Sequence, residues 1–357
     1  MDDRHFPCFF LGANAPRGFY SCFASMYTPD DDWKCTILKG GPGSGKSTIL
    51  KQTAAAAAQQ GQRVEYIYCS SDPRSLDAVI LPDAHRCMVD GTAPHVVEPQ
   101  YPGACESLFN PGDYWDTDAL YAHRTEIRAL GRQIAACHRR SAAVRAALSA
   151  VASEVRLRAQ EAARISELHR YAQRLAARTV RRPADGGITE RFLSGFTPDG
   201  LLRFDPTLRI YADTVTRIDD PYGAVAPCIL DALRSRAAEL GAPAILCHSP
   251  LDPETLEAVI LPAARCAFVA DGALTRLAFA PTHTIHARRF LDPIAHGSIR
   301  PLLRARLKTM RALADDACAE LHRALRLHDR LEAYYMEAMD FRKLTRAADG
   351  MIARFLR

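Results

Sequence analysis

Gly40-Gly41-Pro42-Gly43-Ser44-Gly45-Lys46-Ser47-Thr48 matches the pattern G-x-x-x-x-G-K-[ST], with Gly40, Gly45, Lys46 and Ser47 at the fixed positions. Just before it, Cys35-Thr36-Ile37-Leu38 is apolar and β-branched and reads as a short buried strand. Just after it, Ile49 to Gln60, with its alanine run, reads as a helix that Gly61 ends. Glycines permit positive φ and close backbone approach, so successive N–H groups can curl around phosphate oxygens. A helix start adds unpaired N–H groups and the positive end of the helix dipole. Lys46 is then placed for the β- and γ-phosphates, and the Ser47 hydroxyl for Mg2+. A glycine-rich turn matching by chance is the bland alternative, and the flanking strand and helix weigh against it.

Working outward, 357 residues at 48% hydrophobic content suffice for two or three cores. A formal charge of +5 is too small to imply nucleic acid by itself. The eleven cysteines form no C-x-x-C pair and are odd in number, the usage expected of reduced cytosolic thiols. No run approaches the length of a membrane span, and Met1-Asp2-Asp3 lacks the basic start of a signal peptide, so a cytoplasmic chain without membrane contact is expected.

Val64 to Cys69 reads as a second strand, followed by the polar turn Ser70-Ser71-Asp72-Pro73 and a short amphipathic segment, Ser75 to Leu81. Cys87-Met88-Val89-Asp90 reads as a third strand ending in an acid. Strands alternating with helices point to an α/β fold with a mostly parallel sheet. Then the text returns. Asp252 to Pro262 repeats Asp72 to Pro82, 180 residues earlier, with eight of eleven positions identical. Phe10, Pro16 and Gly18 find echoes in Phe192, Pro198 and Gly200. The expected architecture is therefore two tandem pseudo-repeats, each an α/β core of phosphate-loop type followed by a long helical arm. The boundaries read as 1–116 for the first core, 117–183 for a helical arm folded as a hairpin, 184–299 for the second core and 300–357 for a C-terminal arm. The first arm is basic (Arg124, Arg128, Arg132, Arg139, Arg140, Arg145). With no aromatic interleaving or recognition motif, a solvated arginine-rich helix is favoured over nucleic-acid binding, and a protein partner on the arms stays open.

The same offset places Asp220 at Gly40, Val225 at Gly45, Ala226 at Lys46 and Pro227 at Ser47. The ammonium and the hydroxyl are gone, Pro227 lacks an N–H, and Asp219 and Asp220 repel phosphate. The second half reads as a degenerate, structural or regulatory core. Leu193-Ser194-Gly195 resembles a transporter-ATPase signature but lies in the repeated opening segment and is discounted.

Phosphoryl-transfer sites of this kind use an acid at a neighbouring strand end to hold the Mg2+ shell. Asp90 is the first choice and Asp72 the second; either residue type also caps turns. His95 is a candidate to polarise water or touch phosphate, against the plainer reading of an exposed or locally bonded loop histidine. No N-K-x-D stretch selects guanine, so ATP is the expected nucleotide. The candidate site is thus Gly40, Gly41, Pro42, Gly43, Ser44, Gly45, Lys46, Ser47 and Thr48 for ATP, Ser47 and Asp90 for Mg2+, and Lys46, Asp90 and Asp72 for catalysis. Arg217 and Arg276 are candidates for an internal arginine finger from the second half.

The runs Gly12 to Tyr20, Leu38 to Ser47, Cys69 to Pro73, Asp90 to Val97 and Pro102 to Asp116 together resemble the bacterial tandem phosphate-loop ATPases. The resemblance covers nearly the whole chain and is sharpest over residues 10 to 116. It implies ATP binding and hydrolysis by the first half, with Lys46 and Ser47 in their usual roles. The family's second half often carries its own intact loop; here it does not, which sets the chain apart from a two-site mechanism. The reading that follows is a Mg-dependent ATPase. A small-molecule or nucleotide kinase and an ATP-gated scaffold without turnover are the alternatives.

Overall fold

The computed structural model describes residues 6–27, 32–181 and 186–357. The chain opens with β1 (Cys8–Phe9) and a hairpin of β2 (Gly12–Ala15) and β3 (Gly18–Ser21). There follow β4 (Lys34–Leu38), α1 (Lys46–Gln59), β5 (Glu65–Tyr68), β6 (Leu76–Leu81), β7 (Arg86–Asp90) and β8 (Glu106–Phe109). The strands expected at Cys35–Leu38, Val64–Cys69 and Cys87–Asp90 are β4, β5 and β7, within a residue at each end. Outside the hairpin, the strands form one sheet in the order β1-β5-β6-β7-β4-β8. Parallel pairing joins β1 to β5 and β4 to both β7 and β8. α1 turns Ile49, Leu50, Thr53, Ala54 and Ala57 inward, and Gly61, at φ +74°, follows its end.

The segment Ser75–Leu81, read as amphipathic, is instead the central strand β6, buried at every residue and antiparallel to β5 and β7. The connections on either side are too short for a crossover helix, so the strand can only reverse. Burial on both faces explains why Leu76-Asp77-Ala78-Val79-Ile80-Leu81 shows no alternation.

Three helices come next: α2 (Thr117–Ala122), α3 (Arg124–Glu161) and α4 (Ile165–Thr179). A second set of elements then runs β9 (Ile188–Arg191), β10 (Ser194–Thr197), β11 (Gly200–Arg203), α5 (Pro206–Tyr211), β12 (Thr214–Asp219), α6 (Ala226–Glu239), β13 (Ala244–Ser249), β14 (Asp252–Leu261), β15 (Cys266–Asp271) and β16 (His283–His286). The second sheet has the order β9-β13-β14-β15-β12-β16. Only β14 runs antiparallel to its neighbours, as β6 does in the first sheet. Both sheets are thus mixed, with mostly parallel strands. Their edges meet where Phe10 and Phe192 exchange backbone hydrogen bonds of 2.9 and 2.8 Å. Both rings are fully buried.

The last elements are α7 (Pro293–Glu337) and α8 (Phe341–Phe355). The C-terminal arm was expected to start at residue 300. It begins instead at Pro293, with Pro301 inside the helix, and is capped by Asp292 accepting from the N–H groups of Ile294 and Ala295. Nor does the first arm fold back on itself as a hairpin. The buried stripe of α3 (Leu130, Cys137, Ser141, Leu148, Val155, Ala159) runs the whole helix, about 57 Å at 1.5 Å per residue. The shorter α4 cannot cover it, and α7 does, antiparallel, with Arg140 on Glu320 at 2.8 Å and Arg306 on Glu154 at 2.6 Å. α4 instead packs Leu168, Ala172 and Ala176 with Ile229, Leu230 and Leu233 of α6. α8 adds Leu344, Ala348, Met351, Ile352 and Phe355 to the core that holds Ile49 and Leu50 of α1. Each arm therefore ends on the other half. The expected arm end at Arg182 and the boundary at 183–184 lie outside the described residues. No described helix is long and apolar enough to cross a membrane, and no disulfide joins the described cysteines.

If the Phe10–Phe192 junction carries the fold, Phe192→Ala lowers the unfolding free energy by about 3–5 kcal/mol. Ile294→Ala, at a residue 85% exposed, changes it by less than about 0.5 kcal/mol. Urea unfolding of the two variants checks both values.

Candidate functional site

β4 ends at Leu38 between two parallel neighbours, so the loop that follows leaves the carboxyl edge of the sheet and returns as α1. Gly43 (φ +66°) and Gly45 (φ +81°) hold left-handed conformations that a side chain would strain. A Cβ on Gly40 would stand 2.8 Å from Ser44 Oγ, and that hydroxyl donates to the Gly41 carbonyl at 2.8 Å. No side chain caps α1. Among the described residues, no protein oxygen accepts from the backbone N–H groups of Lys46, Ser47 or Thr48. Three donors and the positive helix end therefore converge on one side of the loop.

Lys46 Nζ folds back to the Gly40 and Gly41 carbonyls at 2.6 and 2.7 Å, and stands 3.6 Å from Asp90 Oδ2. Asp90 closes β7, beside β4, and its Oδ1 accepts from Thr92 N and Oγ1 at 2.9 and 2.5 Å. Ser47 Oγ accepts from Leu76 N at 3.1 Å and keeps its second lone pair. The structure thus brings Lys46, Ser47 and Asp90 around one loop. Asp72 is turned elsewhere: its carboxylate takes hydrogen bonds from Arg74 and Ser75. Burial alone would raise this carboxyl, yet the Arg74 and Ser75 hydrogen bonds bring it below the ordinary value. No ion pair or hydrogen bond joins it to Lys46 or Asp90 among the described residues.

His95 is buried rather than exposed. Its ring stacks on Phe23 at 4.6 Å, Nδ1 meets the Asp90 carbonyl at 2.8 Å, and Nε2 lies 3.4 Å from Asp77 Oδ1. Burial would lower its pKa, but the hydrogen bond and charge of Asp77 and the charge of Asp90 raise it above the ordinary 6.5. The imidazole braces the turn that carries Asp90. Sequence reasoning missed Asp77, hidden in an apolar run. The repeat held the signal, since its counterpart Glu257 is also an acid.

Also missed were the residues that lie over the loop. A Cβ on Gly43 would meet the Glu332 carbonyl at 2.9 Å, Met336 Cγ at 3.1 Å and Tyr335 Cβ at 3.3 Å. Gly43 N donates to Glu332 Oε1 at 3.3 Å. Leu344 approaches Gly45, and Arg74 reaches across to Asp329 at 3.0 Å. The second half does touch the loop, but through α7 and α8 and not through the arginines expected. Arg217 stands 3.9 Å from Asp271 of its own sheet, and Arg276 makes no contact with the Lys46 loop among the described residues.

The counterpart loop in the second half is filled from within. Asp220 Oδ2 accepts from Val225 N and Ala226 N at 2.7 and 2.8 Å, the two amides at the head of α6. Burial raises this carboxyl despite those hydrogen bonds. Asp219 lies 3.1 Å from His286. A small cavity of about 170 Å³ adjoins the loop, lined by Tyr222, Phe196, Leu201 and Met310, with Arg156 of α3 paired to Asp252 at 2.9 Å beside it. Ser194, from the discounted Leu193-Ser194-Gly195, gives its N–H and hydroxyl to Glu257, each at 2.7 Å.

Compared with family models, curated proteins and solved structures, the chain finds no match.

Burial pushes the Glu257 carboxyl up to about 7, against the charge of Arg203 and the hydrogen bonds of Ser194. In the range between its ordinary 4.5 and 7, the folded state then holds a proton that the unfolded state has lost, so Glu257 makes stability fall as pH rises. Glu257→Gln removes this slope. Urea midpoints at pH 5 and pH 8 are expected to differ less in the variant than in the wild type, with the variant gaining relative stability at pH 8.

Proposed function

We propose that the chain is a phosphate-loop protein that binds Mg·ATP at residues 40–48 and hydrolyses it, with a second half that is a pseudo-NTPase core. The observation that carries the reading is the contrast between two loops at matching places in sheets of matching order. At α6 the free amides are satisfied by Asp220, a carboxylate of the same chain. At α1 the N–H groups of Lys46, Ser47 and Thr48 meet no protein acceptor among the described residues, the glycines hold the bends, and the Lys46 side chain stands beside them. Such a loop suits an anion supplied from outside.

The matching strand orders, the Phe10–Phe192 junction and the repeated Asp72–Pro82 text support an internal duplication of a P-loop NTPase core. They accord with the resemblance to bacterial tandem phosphate-loop ATPases. The residues present fit Mg2+ as well: Ser47 keeps a lone pair toward the loop, and Asp90 lies 3.6 Å from Lys46 at the next strand end. Held there by Ser47 and Asp90, the ion would supply positive charge against the phosphates. Lys46 would leave the Gly40 and Gly41 carbonyls to meet phosphate, and His95 would hold the turn of Asp90. A second reading, an ATP-gated scaffold without turnover, is favoured by one observation: the end of α7 lies across the loop.

Purified wild type is expected to bind Mg·ATP in calorimetry and release inorganic phosphate. Losing one charge-assisted phosphate contact costs about 1.5–3 kcal/mol, so Lys46→Ala weakens binding at least about tenfold. Asp90→Asn lowers phosphate release more than it lowers affinity. Binding without release in the wild type selects the scaffold, and absence of binding removes both readings.

A further inference from the structure

We propose that Glu332 is a built-in occupant of the phosphate loop, so that nucleotide and the end of α7 compete for the same amide. This rests on the reading of residues 40–48 as a nucleotide site and assigns its regulation. Gly43, at the bend of the loop, gives its N–H to Glu332 Oε1 at 3.3 Å. That donor is one of those a phosphate oxygen would use. The backbone of α7 is close as well: any side chain on Gly43 would strike the Glu332 carbonyl, Met336 and Tyr335.

Around this contact the arm is fastened at several points. Arg74 ties Asp72 to Asp329, at 2.8 and 3.0 Å. Tyr335 packs on Trp115 at 5.2 Å beside Gly41, and Trp115 pairs with Met339 just beyond α7. A triphosphate approaching the Gly43 amide meets the Glu332 carboxylate, a like-charge encounter that favours withdrawal of the helix end.

The second loop has a counterpart with the charge reversed. Glu332 lies 176 residues after Arg156, the same separation as Met339 from Ala163 and Leu291 from Trp115, which form the crossed bridges Trp115–Met339 and Ala163–Leu291. Arg156, on α3, holds Asp252 beside the acidic loop. Each loop is thus faced by an arm residue of opposite character, and the two arms are one antiparallel pair. Farther down, Arg140 and Glu154 of α3 pair with Glu320 and Arg306 of α7.

The test uses the full chain, with Mg·ATP as probe, in wild type, Glu332→Ala, Glu332→Gln and Lys46→Ala. Glu332→Ala is expected to bind about tenfold tighter than wild type, the value of one charge-assisted hydrogen bond, with Glu332→Gln between the two. Amide exchange over residues 328–337 is expected to rise when wild type binds Mg·ATP and to be raised already in nucleotide-free Glu332→Ala. Equal affinities within twofold, with unchanged exchange on binding, overturn the inference while leaving the nucleotide reading intact, provided Lys46→Ala still loses binding. If no variant binds Mg·ATP, the nucleotide reading falls and competition at this amide falls with it.

Discussion

Two backbone hydrogen bonds between Phe10 and Phe192 determine how everything else is placed. Each sheet ends in a short strand whose outer edge would otherwise offer unpaired N–H and C=O groups, and by meeting there the two edges cover one another. Polar side chains secure the seam. The Thr207 hydroxyl bonds both the N–H and the carbonyl of Cys8, each at 2.9 Å. Glu65, buried at the seam, is held by Arg191 and by the Tyr211 hydroxyl. A buried carboxylate left without those partners would cost several kcal/mol, so the network tolerates little change of angle between the halves.

Once the sheets are joined at that edge, the long helices have one way to bury their stripes. α3 and α7 lie antiparallel against each other, and their continuations separate onto opposite halves. α4 covers α6 and α8 covers the core beneath α1. Neither half completes its own core. This differs from two independent domains on a linker, where each would unfold alone. Here Leu344 and Met351, near the end of the chain, belong to a core begun at Cys8.

Much of this was legible in the sequence because local chemistry and tertiary structure agree. The strand, loop and helix around Lys46 are present because glycines at 43 and 45 can take positive φ and the alanines after them favour helix. The repeat of Asp72–Pro82 is visible because both copies are central strands under the same packing constraint. What failed has physical reasons. β6 is buried on both faces, so it has no period to read. The start of α7 was placed late, and the turns before residue 300 and just after it hold Gly297 and Pro301, residue types that disfavour a helix interior. The exchange of arms has no local signal: a buried stripe states that a helix needs a partner and not which one. Glu332 was invisible for the same reason, since it lies 289 residues from the amide it meets.

The two loops also show how one architecture treats the same backbone problem in two ways. The head of a helix leaves N–H groups that must find acceptors. At α6 the chain answers with Asp220, and the cost is visible: one of its oxygens is buried with no hydrogen-bond partner. Burying that charge is tolerable because two amides meet its other oxygen at 2.7 and 2.8 Å. At α1 the chain places glycine where Asp220 stands, so no carboxylate of the loop can turn inward. Lys46 Nζ rests on the Gly40 and Gly41 carbonyls, and the acid that meets the Gly43 amide belongs to a helix from the far half. One loop thus takes its acceptor from its own sequence, five and six residues away, whereas the bend of the other takes it from an arm 289 residues away.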